Sequence, residues 1–70
     1  MFWWFERGGK FQRLEILETQ PGTFELRLIH PDGSVTVETF SSADALAKRQ
    51  REIETAMQHD GWSGPHGWVL

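Results

Sequence analysis

From Phe2 to Phe40 the chain alternates apolar and polar positions in short stretches, and a turn signal closes each stretch. Gly8-Gly9 follows an aromatic opening strand and accepts the positive φ angles of a tight hairpin. Lys10 to Thr19 reads as the second strand, turned by Gln20-Pro21-Gly22, where proline sets φ and glycine takes the left-handed conformation. Thr23 to His30 places Phe24, Leu26 and Leu28 on one side and Glu25, Arg27 and Ile29 on the other. Pro31-Asp32-Gly33 is the next turn, and Ser34 to Phe40 places Val35 and Val37 on one face.

Matching these faces sets a register, because a slip of one residue turns every apolar side chain toward water. A three-residue loop at Gln20 to Gly22 sets Ile16 opposite Leu26 and Leu14 opposite Leu28. A four-residue loop at His30 to Gly33 sets Leu28 opposite Val35 and Leu26 opposite Val37. The outer face then pairs Glu15 with Arg27, opposes Glu25 to Glu38 in a like-charge conflict, and carries Leu17, Ile29 and Phe40.

The period changes at Ser41, where Ser41-Ser42-Ala43-Asp44 reads as an N-cap with an acid three positions on. Leu46, Gln50, Ile53 and Met57 form one helical stripe flanked by Ala43 and Ala56, with Asp44, Lys48, Arg51, Glu52, Thr55 and Gln58 opposite. Gly61 supplies the stop, and Trp62 is placed to cover Met57 in a Schellman arrangement. The stripe is expected to lie across Leu14, Ile16, Leu26, Leu28, Val35 and Val37. Ser63-Gly64-Pro65 reads as loop, and His66 to Leu70 as a short fifth strand or arm beside the aromatic first strand. The expected fold is therefore α+β, an antiparallel β-meander of four or five strands with one amphipathic helix near the C-terminus, in a single domain over residues 1–70.

Length limits what such a domain can enclose. A core in 70 residues supplies roughly 3–5 kcal/mol unless a disulfide, a metal or oligomerisation adds to it. The chain has no Cys, and its three His are scattered, so self-association is the expected supplement. No apolar run is long enough to span a bilayer or to lead a secreted chain, and the expectation is a cytoplasmic protein. Seven basic against ten acidic residues, a net charge of -3, give no general attraction for polyanions.

The first strand is apolar on both faces, with Phe2 and Trp4 pointing one way and Trp3 and Phe5 the other, the mark of a strand covered on both sides. Phe2, Trp3, Trp4 and Phe5 at one end, with Trp62 and Trp68 at the other, are the expected anchors of an interface with a second copy or another protein. The rival reading is single-stranded DNA or RNA binding. Arg7, Lys10 and Arg13 bracket the glycine turn beside those aromatics, Arg27 extends the row, and stacking on such a platform is worth ~1–3 kcal/mol per base. Glu6, Glu15, Glu18 and Glu25 in the same region work against it.

Helical spacing distributes Lys48, Arg49 and Arg51 among Asp44, Glu52 and Glu54, the pattern of a salt-bridged surface. His59, Asp60 and His66 match no zinc spacing, and His30 with Asp32 reads as turn chemistry without a cysteine nucleophile. No metal, cofactor or enzymatic activity is expected.

Pro31-Asp32-Gly33, then Phe40, Leu46, Arg49 and Gly61-Trp62, resembles a pattern in small uncharacterised bacterial proteins and brings no assigned activity. The order of strands followed by one helix resembles the Whirly and Pur-alpha type of nucleic-acid-binding module. A five-stranded version with paired ends resembles a strongly bent Sm-like small barrel with its helix at the C-terminus, the alternative architecture. Neither resemblance supplies a binding motif that matches this chain residue by residue.

Overall fold

The computed structural model describes residues 1–67, so Trp68, an expected anchor, lies outside the described residues. Six elements follow in chain order: β1 (Phe2–Arg7), β2 (Lys10–Gln20), β3 (Thr23–Ile29), β4 (Val35–Phe40), α1 (Ala43–His59) and β5 (Ser63–His66). All strand pairs are antiparallel, in the order β4-β3-β2-β1-β5, which is the α+β meander with one helix near the C-terminus. β4 and β5 are its two edges, so among the described residues the sheet is open. No described helix is long and apolar enough to cross a membrane.

Turn chemistry sets the first two pairings. Gly8 and Gly9, at φ +57° and +82°, make a two-residue turn that closes on Arg7 and Lys10 and brings Trp3 opposite Leu14 and Phe5 opposite Gln12. Between β2 and β3, Leu14 faces Leu28, Ile16 faces Leu26 and Glu15 faces Arg27, as expected. An irregularity between Glu18 and Gln20 absorbs one residue, so a loop of only Pro21 and Gly22 gives the same register deeper in the sheet.

The third pairing differs from the expected one by one residue. The His30 N–H donates to the Ser34 carbonyl at 2.8 Å and the Gly33 N–H to the His30 carbonyl at 2.9 Å, so the loop is Pro31, Asp32 and Gly33 alone. This is a tight turn followed by a left-handed glycine, Gly33 at φ +89°. Asp32 stabilises it, its Oδ1 accepting from the Ser34 N–H at 2.9 Å and the Ser34 hydroxyl at 2.7 Å. Ile29 therefore faces Val35, Leu28 faces Thr36 and Leu26 faces Glu38. Val35 and Val37 turn away from the helix and are 52% and 51% exposed, while Phe40, expected outside, packs against the core.

The same shift removes the like-charge conflict. Glu25 now faces Thr39, and Glu38 lies on the helix side, where Arg49 grips it through Nε at 2.9 Å and Nη2 at 3.1 Å. Both side chains are partly exposed, so the pair contributes at most about 1 kcal/mol, but it ties the helix to β4.

Ser42 caps α1, its hydroxyl accepting from the Ala45 N–H at 3.3 Å, one residue later than the first serine of the pair. Leu46, Ile53 and Met57 are the stripe's buried members, while Gln50 is only half-buried and Ala43 and Ala56 are exposed. The C-terminus is the expected Schellman motif: Trp62 N–H to Met57 O at 3.0 Å, Gly61 N–H to Gln58 O at 3.1 Å, and Gly61 at φ +88°. The helix stripe closes over Phe5, Leu14 and Leu26, all fully buried, and each such side chain is worth about 1.5–3 kcal/mol.

β5 forms on Ser63 to His66 beside the first strand, with Trp4 facing His66 and Glu6 facing Ser63, so Ser63, Gly64 and Pro65, read as loop from the sequence, are strand. Two local features permit it. Pro65 is tolerated on an edge strand. Gly64, at φ +131°, lies so close to β1 that a Cβ there would stand 3.0 Å from Phe5 Cδ1 and 3.0 Å from the Trp4 carbonyl oxygen.

Candidate binding surface

Alternation along the strands separates the expected anchors. Phe5 and Trp62 are buried in the chain's own core, and Trp3, half-buried on the helix side, packs against it. The expectation that a domain this small cannot enclose its rings is corrected for them: β5 and the Schellman turn fold Trp62 back beneath Arg7, whose guanidinium lies 4.8 Å from the indole centroid. Phe2 and Trp4 point the other way, onto the face of the sheet that carries no helix.

On that face the antiparallel registers assemble rows across the strands. Trp4, Arg13, Ile29 and Val35 form one, extended to His66 on β5, and Phe2, Glu15, Arg27 and Val37 form the next. Leu17 and Phe11 complete the apolar set, Phe11 being 57% exposed. Phe2, Trp4, Phe11, Arg13 and Ile29 line a shallow groove of about 470 Å³. The Trp4 ring lies 6.3 Å from that of Phe2 and 6.1 Å from that of His66, each tilted, and the Arg13 guanidinium is 6.0 Å from the Phe2 ring. Phe11, Val35 and Val37 are the members of this surface that the sequence reading did not select. Phe11 was legible: across a two-residue turn it must share a face with Phe2 and Trp4.

The four expected nucleic-acid contacts do not form one row. Arg7 and Lys10 lie on the helix side, where they line a polar cleft of about 430 Å³ with Gln12, Asp32, Asp60 and Trp62. Arg7 is held there, its Nη1 donating to the Asp60 carbonyl at 2.7 Å and to Asp60 Oδ2 at 2.9 Å. Arg13 and Arg27 occupy the open face, but Arg13 pairs with Glu15 at 3.2 Å and Arg27 with Glu25. With Glu6 on the same side, that face sets two arginines against three glutamates and lacks the excess positive charge a phosphate backbone needs.

Other side chains with chemical potential have local partners. The Ser63 hydroxyl lies 3.1 Å from the Glu6 carbonyl oxygen and 3.1 Å from His66 Nε2. His30 Nε2 meets the Thr36 hydroxyl at 2.9 Å, and the Ser34 hydrogen bonds hold the Asp32 carboxyl below its ordinary value. Among the described residues no three metal-ligating side chains converge.

Comparison with known protein families, curated proteins and solved structures finds no match to this chain.

Proposed function

We propose that this chain is a non-enzymatic assembly module, and that the helix-free face of its sheet packs against the same face of a second copy. The observation that carries the reading is the apolar set of Phe2, Phe11, Leu17, Val35 and Val37, all exposed on the helix-free face, with Phe2 and Phe11 lining its groove. A monomeric domain rarely exposes such a set without using it. Charge favours a second copy as occupant. Arg13 and Arg27 alternate with Glu15 and Glu25 across the strands, so a two-fold apposition can set the arginines of one copy against the glutamates of the other. Five strands at ~4.8 Å spacing and six residues at ~3.3 Å give a footprint of ~24 by ~20 Å, at the low end for a specific interface. A weak, concentration-dependent association follows.

Sedimentation of the parent and of a Phe2→Ser, Phe11→Ser double variant tests this. The parent associates as its concentration rises, and the double variant, with unchanged circular dichroism, reaches a smaller mass than the parent at the same concentration. A parent that stays monomeric at its highest soluble concentration removes the reading. Titration of a single-stranded oligonucleotide at two salt concentrations, followed by tryptophan fluorescence, examines the nucleic-acid alternative: salt-sensitive quenching would replace the assembly reading with it.

A further inference from the structure

The two edges of the sheet are not alike. β5 is short and contains Gly64 and Pro65, so it offers a poor template for another strand. β4, Val35–Phe40, has no Pro, no Gly, no Lys and no irregularity in its pairing, and its sequence Val-Thr-Val-Glu-Thr-Phe is rich in strand-forming residues. His30 and Ser34 close the β3–β4 ladder with a hydrogen bond, so the ladder bonds fall at Thr36, Glu38 and Phe40. The backbone N–H and C=O groups of Val35, Val37 and Thr39 consequently point outward from the edge.

We propose that β4 pairs antiparallel with β4 of a second copy about a two-fold axis at Val37, joining two sheets into one. Only this axis satisfies every outward group. Val37 exchanges both hydrogen bonds with the partner's Val37, and Val35 does so with the partner's Thr39 at either end. An axis at Thr36 leaves Thr39 unpaired. An axis at Glu38 leaves Val35 unpaired and opposes two glutamates, which is destabilising. At the Val37 axis Glu38 faces the partner's Thr36, and no like charges are opposed. The contact is independent of face packing, since it uses the sheet's edge and leaves both helix-free faces on one side.

The test uses the full chain carrying Phe2→Ser and Phe11→Ser, which disables the face contact while altering only exposed positions. This chain is expected to sediment as a dimer, and the amides of Val35, Val37 and Thr39 to gain exchange protection as concentration rises. Those of Thr36, Glu38 and Phe40, bonded to β3, should be protected at every concentration. Adding Val37→Lys or Val37→Glu opposes like charges at the axis and should halve the mass. Mixing the two variants one to one should restore the dimer through the opposite pair. A chain that remains monomeric, a dimer whose outward amides exchange at the dilute rate, or a mixture that does not associate overturns the proposal. The unmodified chain gives the same amide readout, so the result does not depend on the double variant, and face packing alone would not produce the alternation.

Discussion

Replacing Trp62 by alanine distinguishes a ring buried in its own chain from a ring reserved for a partner. Trp62 is 6% exposed, its N–H closes the helix on Met57, its indole N–H lies 3.3 Å from Asp60 Oδ2, and the Arg7 guanidinium covers its face. Truncating a buried Trp to Ala costs about 3–5 kcal/mol, and loss of the cation–π contact adds roughly 0.5–1 kcal/mol. A core in a chain this short supplies about 3–5 kcal/mol in all, so Trp62→Ala should leave no net stability in water. Trp62→Phe keeps most of the apolar contact and loses the indole N–H, an intermediate loss of about 1–2 kcal/mol. Urea unfolding followed by far-ultraviolet circular dichroism reads both, and at a slope of roughly 1 kcal/mol per molar the Phe variant should melt ~1–2 M earlier. The loss should be the same at low and high protein concentration. An alanine variant that melts cooperatively within about 1 kcal/mol of the parent at the same concentration would refute the placement of Trp62 in the intramolecular core.

Two further outcomes follow from local geometry. Gly64→Ala introduces a Cβ against Phe5 and the Trp4 carbonyl at a φ that side chains rarely adopt, whereas at Gly22, φ +79°, a Cβ meets nothing within 4 Å. Both substitutions strain the backbone by about 1–3 kcal/mol, so thermal melts should place Gly64→Ala below Gly22→Ala, and equal melting temperatures would deny the close approach of β5 to β1. Asp32 has a folded-state pKa below its ordinary value of 3.8 because Ser34 donates two hydrogen bonds to the carboxylate. Its stabilisation is complete above that value and disappears as pH falls through the lowered one. Acid titration of stability should therefore lose a component in Asp32→Ala, and identical acid profiles for parent and variant would exclude the linkage.

How far the fold could be read from residues alone is clearest at the three hairpins. At Gly8-Gly9 and Pro21-Gly22 the turn residues and flanking alternation agree, and the Leu14–Leu28 and Ile16–Leu26 pairings follow from them. At Pro31-Asp32-Gly33 the apolar alternation misled, because Val35 and Val37 look like core and Thr36, Glu38 and Phe40 do not. Loop chemistry and electrostatics contained the correction: Asp32 caps Ser34, which shortens the loop, and the Glu25–Glu38 clash marked the wrong register. The candidate surface inherits the same error, since Val35 and Val37 join Phe2, Trp4, Phe11, Leu17 and Ile29 on the helix-free face while Phe40 moves to the core.

Local signals thus determined that β1 to β4 become strands, where the helix begins and ends to within a residue, and that Trp62 folds back on Met57, because capping, turn and period preferences act between residues near one another in the chain. Tertiary structure alone decided which rings are enclosed, where Glu38 finds Arg49, and that β4 and β5 form the two edges of the sheet. Those outcomes depend on contacts between residues distant in sequence, and a one-residue change in a single turn exchanges the two faces of a strand.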